Sequence, residues 1–149
     1  MKKIALALIL STMMAGSALA ATQDITVSAT VAGTCKFDAS SITTLAIGNL
    51  TPGSAAPAPA TGALNFWCTK GSSYNLTFNS ANGGNLKGPG VAGTELIPYT
   101  FALSSTSGTG DGPSAALDTT TASATVAAGV YDNNTAGAYS DTVTVTLTP

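Results

Sequence analysis

Between Ser73 and Asn79 the chain reads "SYNLTFN", in which Tyr74, Leu76 and Phe78 are apolar and the residues between them are polar. A repeat of two points successive side chains to opposite faces of a strand, and no helix satisfies it. The same period returns in "ALNFWC", which puts Leu64, Phe66 and Cys68 on one face and Trp67 on the other, and in "IPYTFALSS" at Ile97, Tyr99, Phe101 and Leu103. It closes the sequence in "YSDTVTVTLTP" at Val143, Val145 and Leu147, and "ATQDITVSATV" carries it at Ile25, Val27, Ala29 and Val31. "TTLAIGNL", stopping near Gly48, and "SATVAAGVY" read as further strands. Gly, Pro, Asn and Ser clusters separate them: "TPGSAAPAPATG" reads as an extended connector, and "ANGGNLKGPGVAG" and "TSGTGDGPS" as loops. Short alternating strands with no helical pattern between them predict an all-β, two-layer antiparallel sandwich.

The first twenty residues stand apart. Lys2 and Lys3 precede an apolar run from Ile4 to Met14, and Ala15 to Ala20 supply the small residues of a cleavage site. This is the pattern of a secretory signal peptide over residues 1–20, with the exported domain beginning at Ala21. The run is too short for a membrane span, which needs roughly 18 or more apolar residues. Removing it leaves 3 lysines against 7 acidic residues, a net charge of −4, with neither Arg nor His. That balance argues against nucleic acid or an anionic membrane as partner, since both require a basic patch. Charged residues make up only 8% of the chain, against about 25% in ordinary soluble domains. The surface must therefore be built from Thr, Ser, Asn and Gly, which suits a sheet-rich exported protein that packs against copies of itself.

Cys35 and Cys68 are the two cysteines. In an exported chain such a pair reads as a structural disulfide, because a metal site wants more ligands and a redox pair is usually closer in sequence. Nothing supplies catalysis: there is no His to activate a nucleophile, and Glu95 is the sole glutamate. Asp111, Asp118 and Asp132 stand in expected loops, where aspartate caps turns, and their spacing is not that of a calcium-binding helix–loop–helix. No catalytic residue, metal ligand or cofactor is expected, and a calcium ion at Asp111 or Asp132 is the alternative this leaves open.

Taken together, "VSATVAGTCKF", "LAIGNL", "NFWCTKGSSYNLTFN", "IPYTFALSS" and the closing "AGAYSDTVTVTLT" resemble the spore coat protein U domain family, the module of archaic chaperone-usher pilins. The last stretch carries Gly-x-Tyr-x-Asp-x-Val-x-Val at Gly137, Tyr139, Asp141, Val143 and Val145. The resemblance implies an incomplete immunoglobulin-like β-sandwich that lacks its last strand and is completed by a donor strand from another subunit. Residues 21–31 would be that donor strand, with Ile25, Val27, Ala29 and Val31 as its plugs, and residues 32–149 the pilin domain. Val143, Val145 and Leu147 would border the acceptor groove. The implied partners are a periplasmic pilus chaperone, an outer-membrane usher and other pilin subunits, on a route through the periplasm to a surface fibre used in adhesion and biofilm formation. The same module as a self-complemented, secreted spore-coat or binding protein is the alternative. Only fourteen residues, Ala21 to Thr34, would precede Cys35, which favours a shaft or adaptor subunit over a two-domain tip adhesin.

Overall fold

The computed structural model describes residues 20–88 and 95–149. The expected signal peptide therefore lies outside the described residues except for Ala20, as do residues 89–93 of the expected loop "ANGGNLKGPGVAG". The chain divides into two units, residues 1–30 and 31–149. In the first, residues 20–30 form neither strand nor helix and are exposed.

The second unit is all-β among its described residues, with nine strands: β1 Cys35–Phe37, β2 Ala60–Cys68, β3 Ser73–Ser80, β4 Asn85–Lys87, β5 Leu96–Pro98, β6 Thr100–Leu103, β7 Ser107–Thr109, β8 Asp118–Thr125 and β9 Val143–Thr148. One sheet runs β1-β2-β8-β6, a second β7-β3-β9, and β4 and β5 make a short ribbon. Every pairing is antiparallel. The two larger sheets meet face to face, with Phe66 and Cys68 of β2 packed against Leu76 of β3 and Val145 and Leu147 of β9. Register explains the pattern: Leu76 lies opposite Leu147 and Phe78 opposite Val145 on the inner face, while Thr77 faces Thr146 on the outer one.

Several elements differ from the sequence expectation. "TTLAIGNL" alternates as a strand does, with Leu45 and Ile47 half-buried and Thr44, Ala46 and Gly48 exposed, yet it pairs with nothing. Its side chains obey the period, but a ladder needs a neighbouring backbone and this stretch has none. "IPYTFALSS" divides at Tyr99, because its first part pairs with β4 and its second with β8. β8 begins earlier than "SATVAAGVY" suggests, since pairing with β2 extends the ladder to Asp118 opposite Phe66. Asp118 is thus a strand residue rather than a loop cap. Thr120 becomes buried there, and its hydroxyl bonds the Ser105 carbonyl at 2.8 Å, satisfying it. β4 and β7, three residues each, sit in stretches read as loops.

Candidate functional site

The buried side chains fall into two clusters. One gathers Phe66, Cys68 and Leu76, with Phe37, Tyr74 and Leu147 packed on it. The other gathers Ile97, Val126 and Tyr131, with Ile47, Leu50 and Leu86 against it. A domain of this size usually has one contiguous core. Here an open groove of about 930 Å³ adjoins both clusters.

The floor of the groove is Leu64 of β2 with Ala122 and Ala124 of β8, and the two alanines are too small to fill it. One wall is the unpaired stretch from Ile42 to Leu50. Its start is fixed by the Ile42 N–H, which donates to the Ala63 carbonyl at 2.9 Å, and by the bare backbone of Gly62, where a Cβ would come within 2.6 Å of Ile42 Cδ1. The opposite wall is the stretch from Asn134 to Val143 and on to Val145. β9 lies at the edge of its sheet, bonded through its ladder to β3 alone.

Two carboxylates hold this second wall in place. Asp141 Oδ2 accepts from the Ser80 hydroxyl at 2.5 Å and the Tyr99 hydroxyl at 2.6 Å, and Oδ1 accepts from the Asn82 and Thr142 N–H groups at 3.1 and 2.8 Å. Burial pushes this carboxyl up, but the four donors outweigh it and hold it below the usual aspartate range. Burial and the bond to Asp141 push the Tyr99 hydroxyl up to about 12. Glu95 accepts from the Thr135 N–H at 2.7 Å, the Thr135 hydroxyl and the Tyr139 hydroxyl at 2.5 Å. These donors, the Thr135 hydroxyl foremost, hold it below the usual glutamate range. The ring of Tyr139 lies so close to Gly88 that a Cβ there would meet Cε1 at 2.1 Å. The Lys87–Ser140 bridge ties the same wall to β4.

The carboxylates of Asp141 and Glu95 both accept bonds from neighbouring donors, Cys35 and Cys68 are joined in a disulfide, and among the described residues no three His, Cys, Asp or Glu side chains gather as a metal site would require. No helix among the described residues is long and apolar enough to cross a membrane. The disulfide joins residues directly opposite each other on β1 and β2. Of the residues named from the sequence, Val143 and Val145 line the groove, whereas Leu147 packs into the cluster around Phe66. Ile25, Val27 and Val31 are 82, 89 and 83% exposed, and Ala29 is exposed as well. Asp141, Tyr139 and Glu95, which shape the wall, were not singled out as site residues. The signal for the first two was the alternation from Gly137 to Val145, which sets Tyr139 and Asp141 on the side of the chain that Val143 occupies.

Residues 21–146 match the family model of the Spore Coat Protein U domain. No curated protein matches the chain.

Proposed function

Because the chain belongs to the spore coat protein U domain family, we propose that it is a structural pilin subunit of a chaperone-usher surface fibre that polymerises by donor-strand exchange. The family is one of structural surface proteins, linked to chaperone-usher pili and spore coats, and is not an enzyme family. The observation that carries the reading is the groove: an apolar floor between two core clusters, flanked by an edge strand on one side and by an extended, unpaired stretch on the other.

A strand laid in that groove can bond to β9 and drop alternate side chains onto Leu64, Ala122 and Ala124. Residues 21–31 of a second copy have the required form. Ile25, Val27, Ala29 and Val31 recur every second residue, roughly 6.6–6.8 Å apart in a strand, the spacing of Val143 and Val145. Each Ile or Val moved from water into the groove contributes about 1.5–3 kcal/mol, and the ladder bonds satisfy the edge of β9. Before assembly a periplasmic chaperone occupies the groove; at the outer-membrane usher the next subunit displaces it. The cleaved, exported subunit thereby becomes one link of a fibre that serves adhesion and biofilm formation.

The test is expression in a bacterial periplasm with and without the candidate chaperone, for the intact chain and for a chain lacking residues 21–31. The reading expects chaperone-dependent accumulation of both proteins and polymer from the intact chain alone. A stable monomer in all four cases would refute it.

A further inference from the structure

The chain that leads from the proposed donor segment into β1 is fastened to its own domain almost at once. Val31, the last of the four plugs, is 83% exposed. The residue after it is already held: the Thr69 hydroxyl lies 3.3 Å from the Ala32 and Thr34 carbonyls, donating to one of the two, and accepts from the Thr34 N–H at 3.0 Å. The Thr69 N–H adds a bond to the Thr34 carbonyl at 2.8 Å. Between them Gly33 lies so close to Ser72 that a Cβ there would come within 2.9 Å of Ser72 Oγ, and it would stand 3.6 Å from Pro149 Cβ. Residues 32–34 therefore leave the domain beside Pro149, just past the end of β9. The groove lies toward the other end of that strand, lined by Val143 and Val145, and stops short of Leu147, which packs into the cluster around Phe66.

We infer that successive subunits are joined without a free linker, so that the face around Thr69 and Pro149 of one copy docks against the groove end of the next and fixes the angle between the two; the inference rests on the fibre reading above. With Val31 seated in the acceptor and Ala32 fastened to its own domain, a single peptide spans the junction, about 3.8 Å from Cα to Cα. Two domains held that close touch. A flexible joint needs a stretch of chain bonded to neither side, and the bonds to Thr69 leave none. The occupant of the face is a second copy of this chain, because the seated residue and the fastened one are neighbours in sequence and carry the two domains together. Since the fastened segment and the groove lie toward opposite ends of β9, each copy offers one face and receives on another. Such a contact is heterologous and repeats head to tail as an open chain. Thr69 is the positioning residue of the joint: its hydroxyl and N–H bind the entering chain at both carbonyls and at one N–H.

The experiment measures, by electron microscopy, the persistence length of fibres assembled from the unaltered chain, from a chain with Gly-Ser-Gly-Ser inserted between Val31 and Ala32, and from Thr69→Val and Thr69→Ser. The insertion supplies a free coil and should shorten the persistence length roughly twofold or more. Thr69→Val keeps the side-chain shape and removes the hydroxyl, and should shorten it too; Thr69→Ser retains the hydroxyl and should not. Thr119→Val, which removes a hydroxyl bonded to Asn65 at 2.9 Å and away from the junction, should leave it unchanged. Unaltered fibres as flexible as those with the insertion would overturn the inference while leaving the fibre reading intact. So would stiff fibres in the insertion variant, because the angle would then not depend on the fastened chain. Should Thr69→Val fail to assemble, the insertion, which leaves every residue of the domain in place, decides alone. Absence of fibres from the unaltered chain would remove the fibre reading and this inference with it.

Discussion

The cluster around Phe66 and the cluster around Ile97 are built by opposite means. The first is closed by its own strands: the Cys35–Cys68 disulfide staples β1 to β2, Phe66 meets Tyr74 edge-on at 4.9 Å between ring centres, and Leu76 and Leu147 pack side by side across a ladder. The second borders the groove, and the wall beside it is irregular chain held by polar bonds to Asp141 and Glu95. Apolar packing seals a region only where elements can approach one another. Where a gap must remain open, hydrogen bonds hold its rim without filling it.

The sharpest way to break this contrast is to empty each cluster in turn. Phe66→Ala should cost about 3–5 kcal/mol in urea unfolding, because Phe66 is 1% exposed and leaves a sealed cavity. Ile97→Ala should cost about 2 kcal/mol, the low end for such a truncation, since Ile97 already lines the groove and its loss only widens an opening. Equal costs would erase the distinction. Replacing both Cys35 and Cys68 by Ala opens a loop with a sequence separation of 33 and should lower stability by roughly 3–4 kcal/mol on the chain-entropy account. That loss should appear as a lower melting temperature with the groove wall unaltered. Asp141→Ala strands the Tyr99 and Ser80 hydroxyls and two backbone N–H groups and should cost about 2 kcal/mol, with hydrogen exchange of residues 137–142 speeding up more than that of β2.

Acidification separates the two ends most gently. Asp141 and Glu95 titrate below their ordinary values of 3.8 and 4.5 in the folded protein. Their contribution to stability is complete above those values and is lost as pH falls through the depressed ones. Asp118, opposite Phe66, has the reverse sign: burial, with Asp111 adding to it, raises its carboxyl, so acid relieves it. Amide exchange followed from neutral pH into the acid range should therefore show protection falling first around residues 137–142 and holding along β2 and β8. At the alkaline end, the contribution of neutral Tyr99 stands below its ordinary 10 and is lost as pH rises through about 12.

Much of this was legible in residue order. Leu64, Phe66 and Cys68 alternate and are all buried, and the two cysteines are bonded as their number and the exported context implied. The alternation of Leu45 and Ile47 correctly gave their half-buried face, but not the absence of a paired strand, because the period records which way side chains point and a ladder depends on a distant backbone. β4 and β7 were hidden for the converse reason. Each is three residues long, too short to display a period, and each exists through its partner: β5 for the one, β3 for the other. Asp141 and Glu95 could not be told from turn-capping acids until the chain brought Tyr99 and Tyr139 to them over separations of 42 and 44 residues.

Sequence alone determined the layered all-β class, the faces of the long strands and the scarcity of charge, since these follow from local alternation and composition. Tertiary structure decided which strand became an edge, where "IPYTFALSS" changes partner, and that the two core clusters stand either side of a groove. The physical reason is that backbone pairing and cavity shape arise between segments far apart in the chain, where no local pattern of residues encodes them.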